Sequence, residues 1–479
     1  MTEVSSHSPV VHTSHGPVRG RRVVTTTGST VSAFLGIPYA APPVGALMIA
    51  GPQPPEPWTA VRDATAYGPT APQVGYPEPT ASILENVVAL GNDYLNVNVW
   101  TPDPAAEDLP VLVWIHGGAF TRGSNRLTIY SGDTFARDGL VFVGVNYRLG
   151  APGFASLDGA PDNRGILDQI AALEWVRDNI AAFGGDPSQV TVMGESAGAM
   201  SVASLLSSSR AAGLFRRAVM ESGNGISVAA VGDAQKVTAR TSEILGVEPT
   251  ASAWAEVSPD ALLAAQTEVA LALSLDPDPA VWGETVVRAG LGVMSFLPVI
   301  DGDVLPAAPI DSIAGGAGAG VALLAGWNAD EFHFFLAPTG IVDAVDGPTA
   351  KSVLARSGAS TDRLDESVAG GARAGDALCA ELTRNGFVDP TRAIAAARPD
   401  DQTFLYEFGR HSPVMGIRAG HAVEIPYVFD HVDDAHSLVG SAPDRDLAVR
   451  MHAAWTSFAM TGDPGWRAYR TGDAPHLFA

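Results

Sequence analysis

QVTVMGESAGAMSVASLL, residues 189–206, carries three kinds of local order in one short run. The strand-like QVTVM leads directly into Gly194-Glu195-Ser196-Ala197-Gly198, and a tail of small and apolar residues leads directly out as a helix. Gly-x-Ser-x-Gly in that context is the signature of a tight strand-to-helix turn that lifts a serine hydroxyl clear of the backbone. Glycines flank the serine because so sharp a turn leaves no room for Cβ atoms against the adjoining strand and helix. With 51 glycines in 479 residues the pentapeptide alone says little. Its flanks give it weight.

The surroundings repeat the alternation. PVLVWIHGG (110–118) and VFVGVNYRLG (141–150) are continuous apolar runs ending in turn residues, as strands buried on both faces should be. DQIAALEWVRDNIAAFGGD (168–186) places Ile170, Leu173, Val176, Ile180 and Phe183 at helical spacing and stops at a glycine pair. VALLAGWNADE (321–331) reads as a further buried strand running into a loop, and QTFLYEFG (402–409) as one more. The pattern predicts an α/β protein with a mostly parallel central sheet and helices on both faces. No repeat or polar linker divides the chain, so residues 1–479 are expected to form one domain. The glycine-rich AGGAGAG (314–320) precedes a strand and lacks a following Gly-Lys-Ser/Thr, so it reads as a connector and not as a phosphate loop. PQPPEPW (52–58) reads as a surface loop.

Composition narrows the function. Hydrophobic residues make up 46% and charged residues 17%, ample material for a large core. A single cysteine, Cys379, excludes an internal disulfide and is read as a buried, inert thiol. The opening MTEVSSHSPVVHTSHG lacks the basic start and apolar stretch of a secretory signal, and no run reaches about 18 apolar residues, so neither secretion nor membrane insertion is expected. The expected location is the cytoplasm. A formal charge of −23 disfavours nucleic acid and anionic lipid as partners and suits solubility.

Serine is a poor nucleophile and needs both a base and donors for the oxyanion it generates. His116-Gly117-Gly118-Ala119-Phe120, just after a buried strand, can aim the N–H groups of Gly118 and Ala119 at the site, with Ala197 N–H as a third donor. His116 itself reads as a structural residue of that loop. Glu331 stands where a strand gives way to a loop, the place where open α/β sheets build their sites. Eleven histidines compete for the base, and the residues by themselves leave His421, His411, His431 and His436 open. No His-Glu-x-x-His or Cys/His cluster is present, so neither metal nor cofactor is expected.

Blocks along nearly the whole chain resemble the type-B carboxylesterases, the family of the cholinesterases and bacterial para-nitrobenzyl esterases. They are FLGIPYAAPPVG (34–45), LNVNVWTP (95–102), WIHGGAF (114–120), NYRLG (146–150), the run from Gly165 through FGGDPSQVTVMGESAGA (183–199), FLPVIDGDVLP (296–306), NADE (328–331), GHAVEIPYVF (420–429) and SFAMTGDP (457–464). The resemblance implies the α/β-hydrolase fold and a triad of Ser196, Glu331 and His421. It also implies that Phe334, Phe335 and Glu195 belong to the substrate pocket, with Glu195 a structural or water-ordering carboxylate.

The chain departs from the family at several positions. Ala71 and Tyr94 stand where many members have a cysteine pair. Met48 and Asn92 replace an arginine and a glutamate that pair near that loop. Phe332 takes a glycine's place after Glu331, so the backbone there must avoid positive φ.

The expected chemistry is acyl transfer to water through Ser196, on a small-molecule ester. Neutral esters of short to medium chain are expected, because the loop at 74–93 has Tyr76 as its lone aromatic and no tryptophan for a quaternary ammonium. An amidase, carbamate hydrolase or polyester hydrolase would use the same groups. A non-catalytic scaffold like the neuroligins would have lost the serine or the histidine, and both are present. A monomer or weak homo-oligomer is expected.

Overall fold

A computed structural model of the protein describes residues 8–399 and 401–479; the first seven residues of the segment weighed as a secretory signal therefore lie outside it. Ten strands form the central sheet: β1 Arg21–Val24, β2 Thr30–Pro38, β3 Asn96–Thr101, β4 Leu109–Ile115, β5 Val141–Val145, β6 Gly185–Glu195, β7 Arg217–Glu221, β8 Ala322–Asn328, β9 Thr403–Phe408 and β10 His476–Phe478. Their spatial order is β10-β9-β8-β7-β6-β4-β5-β3-β2-β1. Every pairing from β5 through β10 is parallel, and β1, β2 and β3 add an antiparallel edge. The mostly parallel sheet expected from the apolar runs is therefore present.

Alternation along β4 shows why those runs are continuous. Val111, Val113 and Ile115 enter the core on one face, and Leu112 and Trp114 the core on the other. The first face is covered by α1 (Arg164–Asn179), which contributes Ile166, Ile170, Leu173 and Val176. The opposite face is covered by a C-terminal helix, Arg445–Thr461, through Leu447, Met451, Trp455 and Phe458. Helices on both faces bury Val111–Ile115 of β4 and all of β5, which selects apolar residues there.

The helix expected within 168–186 begins four residues earlier, at Arg164, and tightens into a 3₁₀ turn at Ile180–Phe183 before Gly184 closes it at φ 88°. Its start escaped the periodicity because Arg164 is fully buried, its guanidinium bonding the carbonyls of Pro152, Pro161 and Ala155. One helical turn on, Asp168 meets Arg148 in a fork, with Nη2 to Oδ1 at 2.6 Å and Nε to Oδ2 at 2.8 Å, both side chains fully buried. The remaining amino group of Arg148 donates to the carbonyls of Met48 and Ala50, tying the 45–50 turn to the sheet.

Met48 is buried, and Ala71 and Tyr94 are buried as well. An ion pair nevertheless forms beside Asn92, between Arg62 and Asp93. Residues 329–399, after β8, form a helical insertion with a small core of its own around Leu354, Leu364 and Leu378. No helix of the described residues is long and apolar enough to cross a membrane.

Candidate active site

Strand β6 ends at Glu195, and α2 (Ala197–Ser207) begins one residue later. Ser196 between them is held at φ 55° and ψ −123°, a conformation that L-residues adopt only when their surroundings impose it. Sterics explain the flanking glycines: a Cβ on Gly198 would lie 2.0 Å from the Ile115 carbonyl oxygen, and one on Gly194 2.5 Å from the carbonyl of Gly198. The Ser196 N–H donates to the Glu221 carbonyl at 2.9 Å, so the turn is anchored to the next strand.

The Ser196 hydroxyl donates to His421 Nε2 at 2.8 Å, and His421 Nδ1–H donates to Glu331 Oε2 at 2.6 Å. The other oxygen of Glu331 accepts the Asn328 N–H at 2.8 Å, which fixes the carboxylate before the histidine meets it. Glu331 opens α3 (Glu331–Leu336) just beyond β8, and His421 sits in the loop after β9. Two backbone bonds tie those segments together, Asp330 N–H to Ala419 O at 2.9 Å and His421 N–H to Glu331 O at 3.3 Å. Phe332 lies in the first turn of α3, outside the set of positive-φ residues, and its N–H donates to Thr383 Oγ1.

Gly118 and Ala119, at φ 114° and 56°, line the same cavity as Ser196. Among the described residues no group accepts from the N–H of Gly118, Ala119 or Ala197. The loop is braced from behind by Gln73, whose amide bonds both the N–H and the carbonyl of Gly123 at 2.8 Å. His116 is buried and stacked on Tyr147 with 4.7 Å between ring centres. Burial pushes its pKa down to about 4, so it stays neutral and serves the loop as a donor to the Gly117 carbonyl.

These groups open onto a cavity of about 1620 Å³, lined by Phe334, Phe335, Phe387, Tyr76 and Glu195 among others. The carboxylesterase family model matches residues 7–474. The chain belongs to the carboxylesterase family. It is 35% identical to the para-nitrobenzyl esterase of Bacillus subtilis (strain 168), across 96% of this chain and 92% of that one. It is 33% identical to the phenmedipham hydrolase of Pseudarthrobacter oxydans, across 97% and 94%. A solved carboxylesterase of Geobacillus stearothermophilus superposes with a TM-score of 0.82 at 34% identity, covering 98% of this chain and 96% of that structure. The protein is thus a carboxylic-ester hydrolase of the α/β-hydrolase fold.

Buried carboxylates surround the histidine of this esterase. Burial by itself would lower the His421 pKa, but Glu195 and Glu331 outweigh it and hold the imidazole up, to about 9. Glu195 Oε1 lies 3.2 Å from His421 Nε2, so it is a direct neighbour of the histidine, a contact that no residue spacing foretells. Burial pushes the Glu195 carboxyl up to about 8, against the pull of His421. Glu424, which accepts from Asn328, is raised to about 7 by burial and by Glu331. Glu221 is raised further by burial and Glu424; one of its oxygens accepts from Trp455 Nε1 at 2.7 Å.

Three contributors escaped the sequence reading. Phe387, 5.3 Å from the His421 ring, sits on a π-helical turn at Arg384–Val388 that no spacing betrays. Glu221 lay hidden at the end of an apolar strand, and Glu424 three residues beyond His421 offered the one available hint. Phe335 and Phe334, which the resemblance assigns to the substrate pocket, lie 5.0 and 6.2 Å from that ring.

Proposed function

We propose that Ser196 is the nucleophile of this hydrolase, His421 its general base and Glu331 the acid that orients the base. The observation that carries this reading is the unbroken chain from Ser196 Oγ through both nitrogens of His421 to Glu331. Neutral His421 takes the serine proton at Nε2 as Oγ attacks the ester carbonyl, and Glu331 stabilises the imidazolium that forms. The free N–H groups of Gly118, Ala119 and Ala197 receive the oxyanion, each well-aimed donor contributing about 3 kcal/mol. His421 then hands its proton to the leaving alkoxide, and water attacks the acyl-enzyme with the same histidine as base. Phe334, Phe335 and Glu195 complete the substrate pocket.

The reading extends to scale and place. The whole chain works as one unit, a monomer or weak homo-oligomer, and the cytoplasm is its compartment. A lone thiol in the core supports the latter: burial pushes Cys379 up to about 12, so it is neither a reactive thiolate nor half of an internal bridge. The experiment that tests the central claim is stoichiometric labelling with an organophosphate followed by peptide mapping. Label on Ser196 is expected. Label on any other residue moves the site.

A further inference from the structure

Arg122 follows the oxyanion loop by one turn, its own N–H donating to the Gly118 carbonyl at 3.0 Å. Its side chain lines the same cavity as Ser196, Glu195 and His421. Four arginines of the described residues lie over an aromatic ring. Arg62 ends on Asp93, and Arg126 on the carbonyls of Tyr67 and Gly68. Arg392 and Arg122 end on no protein acceptor among those residues, and of the two Arg122 alone faces the cavity.

The geometry leaves its donors free. The guanidinium rests on Tyr76, 5.1 Å from the ring centre. Stacking occupies the faces of the guanidinium and spares the N–H groups on its edge, which match a carboxylate as a fork. Arg122 Nε is shielded from solvent with no partner, a desolvated donor that an incoming anion would satisfy. None of the cavity carboxylates, Glu85, Glu195, Asp233, Glu284 and Asp311, pairs with Arg122. Glu85 is bonded to the N–H and hydroxyl of Thr128, Asp233 to Thr285 and Lys236, and Glu195 faces His421.

We propose that Arg122 is a specificity-determining residue that binds a carboxylate on the substrate, so that the enzyme accepts anionic esters, such as monoesters of dicarboxylic acids. The charged end sits on Arg122 while the ester carbonyl reaches Gly118 and Ala119, one backbone turn away. The inference rests on the Ser196 reading of the site.

The test compares kcat/KM on charged and uncharged partners. Mono-para-nitrophenyl adipate and suberate are set against para-nitrophenyl hexanoate and octanoate for a charge on the acyl side, and 4-acetoxybenzoate against phenyl acetate for one on the alcohol side. In Arg122→Gln the charged-to-uncharged ratio is expected to fall at least tenfold for one side, with Arg122→Lys in between, since lysine keeps the charge and loses the fork. A ratio unchanged in all pairs overturns the proposal. Should Arg122→Gln not fold, phenylglyoxal labelling of the wild-type protein decides: adipate should protect Arg122 where hexanol does not, and equal labelling with both overturns it. A Ser196→Ala control separates the two readings. Surviving hydrolysis of the uncharged esters there would refute the serine site, whereas abolished hydrolysis with an unresponsive ratio refutes the Arg122 role alone.

Discussion

Replacing Ser196 by Ala removes the one hydroxyl that meets His421 Nε2. Turnover of para-nitrophenyl butyrate should fall by at least about a thousandfold in a protein that still folds, the usual scale for loss of a triad member. Near-native turnover would end the assignment. His421 makes a second prediction. Its pKa is held above the ordinary 6.5 by Glu195 and Glu331, and only the neutral ring accepts a proton. Activity is therefore lost as pH falls through the raised value, and the rising limb of kcat/KM lies on the alkaline side of 6.5. Because Glu195 and His421 titrate as a pair, the limb reports both. Glu195→Gln removes the carboxylate 3.2 Å from Nε2, so the limb should move to lower pH; an unmoved limb would show that Glu195 does not tune His421. Why the base was not legible from residues alone is visible at this scale. His411 lies 3.2 Å from Asp330, His431 3.2 Å from Asp133 and His333 3.1 Å from Asp376. A carboxylate beside a histidine discriminates nothing. What singles out His421 is a serine 225 positions away, a contact set by topology and accessible to the sequence only through family resemblance.

Elements were easier to read because burial on two faces writes itself directly into composition. Strands β4, β5 and β8 stood out as apolar runs, and the nucleophile turn as glycines that sterics demand. Arg164 and Asp168 show the opposite case, charged residues inside the core whose partners lie on other elements. The Arg148–Asp168 fork should be sensitive to loss of one member: Asp168→Ala strands a buried guanidinium and should cost roughly 3–5 kcal/mol in urea denaturation. A loss under about 1 kcal/mol would mean that water or a shifted side chain compensates. Gly198→Ala is the matching prediction for the turn. Its Cβ would meet the Ile115 carbonyl at 2.0 Å, too close for local relaxation, so activity should collapse even where the far-ultraviolet circular dichroism survives. Wild-type kcat/KM in that variant would contradict the packing described for the turn.

At the scale of the molecule, a charge of −23 and the interior of the cavity pull in different directions. The net charge draws cations to the surface, but salt screens that field beyond roughly 8 Å. Inside, Tyr76, the one aromatic of the 74–93 loop, already has a guanidinium over its face and cannot offer it to a quaternary ammonium. Butyrylcholine should accordingly show kcat/KM at least about tenfold below para-nitrophenyl butyrate, about 1.4 kcal/mol, at physiological salt. Parity between the two would reveal another cation site.

The site also depends on how late its parts arrive in the chain. Ser196 and Glu331 precede β9 in the chain, but His421 follows it, and its loop leads into Ile425–Val428, which is braced by the C-terminal helix through a His452 bond to the Val428 carbonyl at 2.8 Å. That same helix supplies Trp455 to Glu221, whose carbonyl anchors the serine turn. Without that helix the loop that carries His421 loses this brace, and the Glu221 side chain loses its donor. Damage to that helix would therefore reach the site from outside the cavity, through the bracing of the His421 loop and of the serine turn.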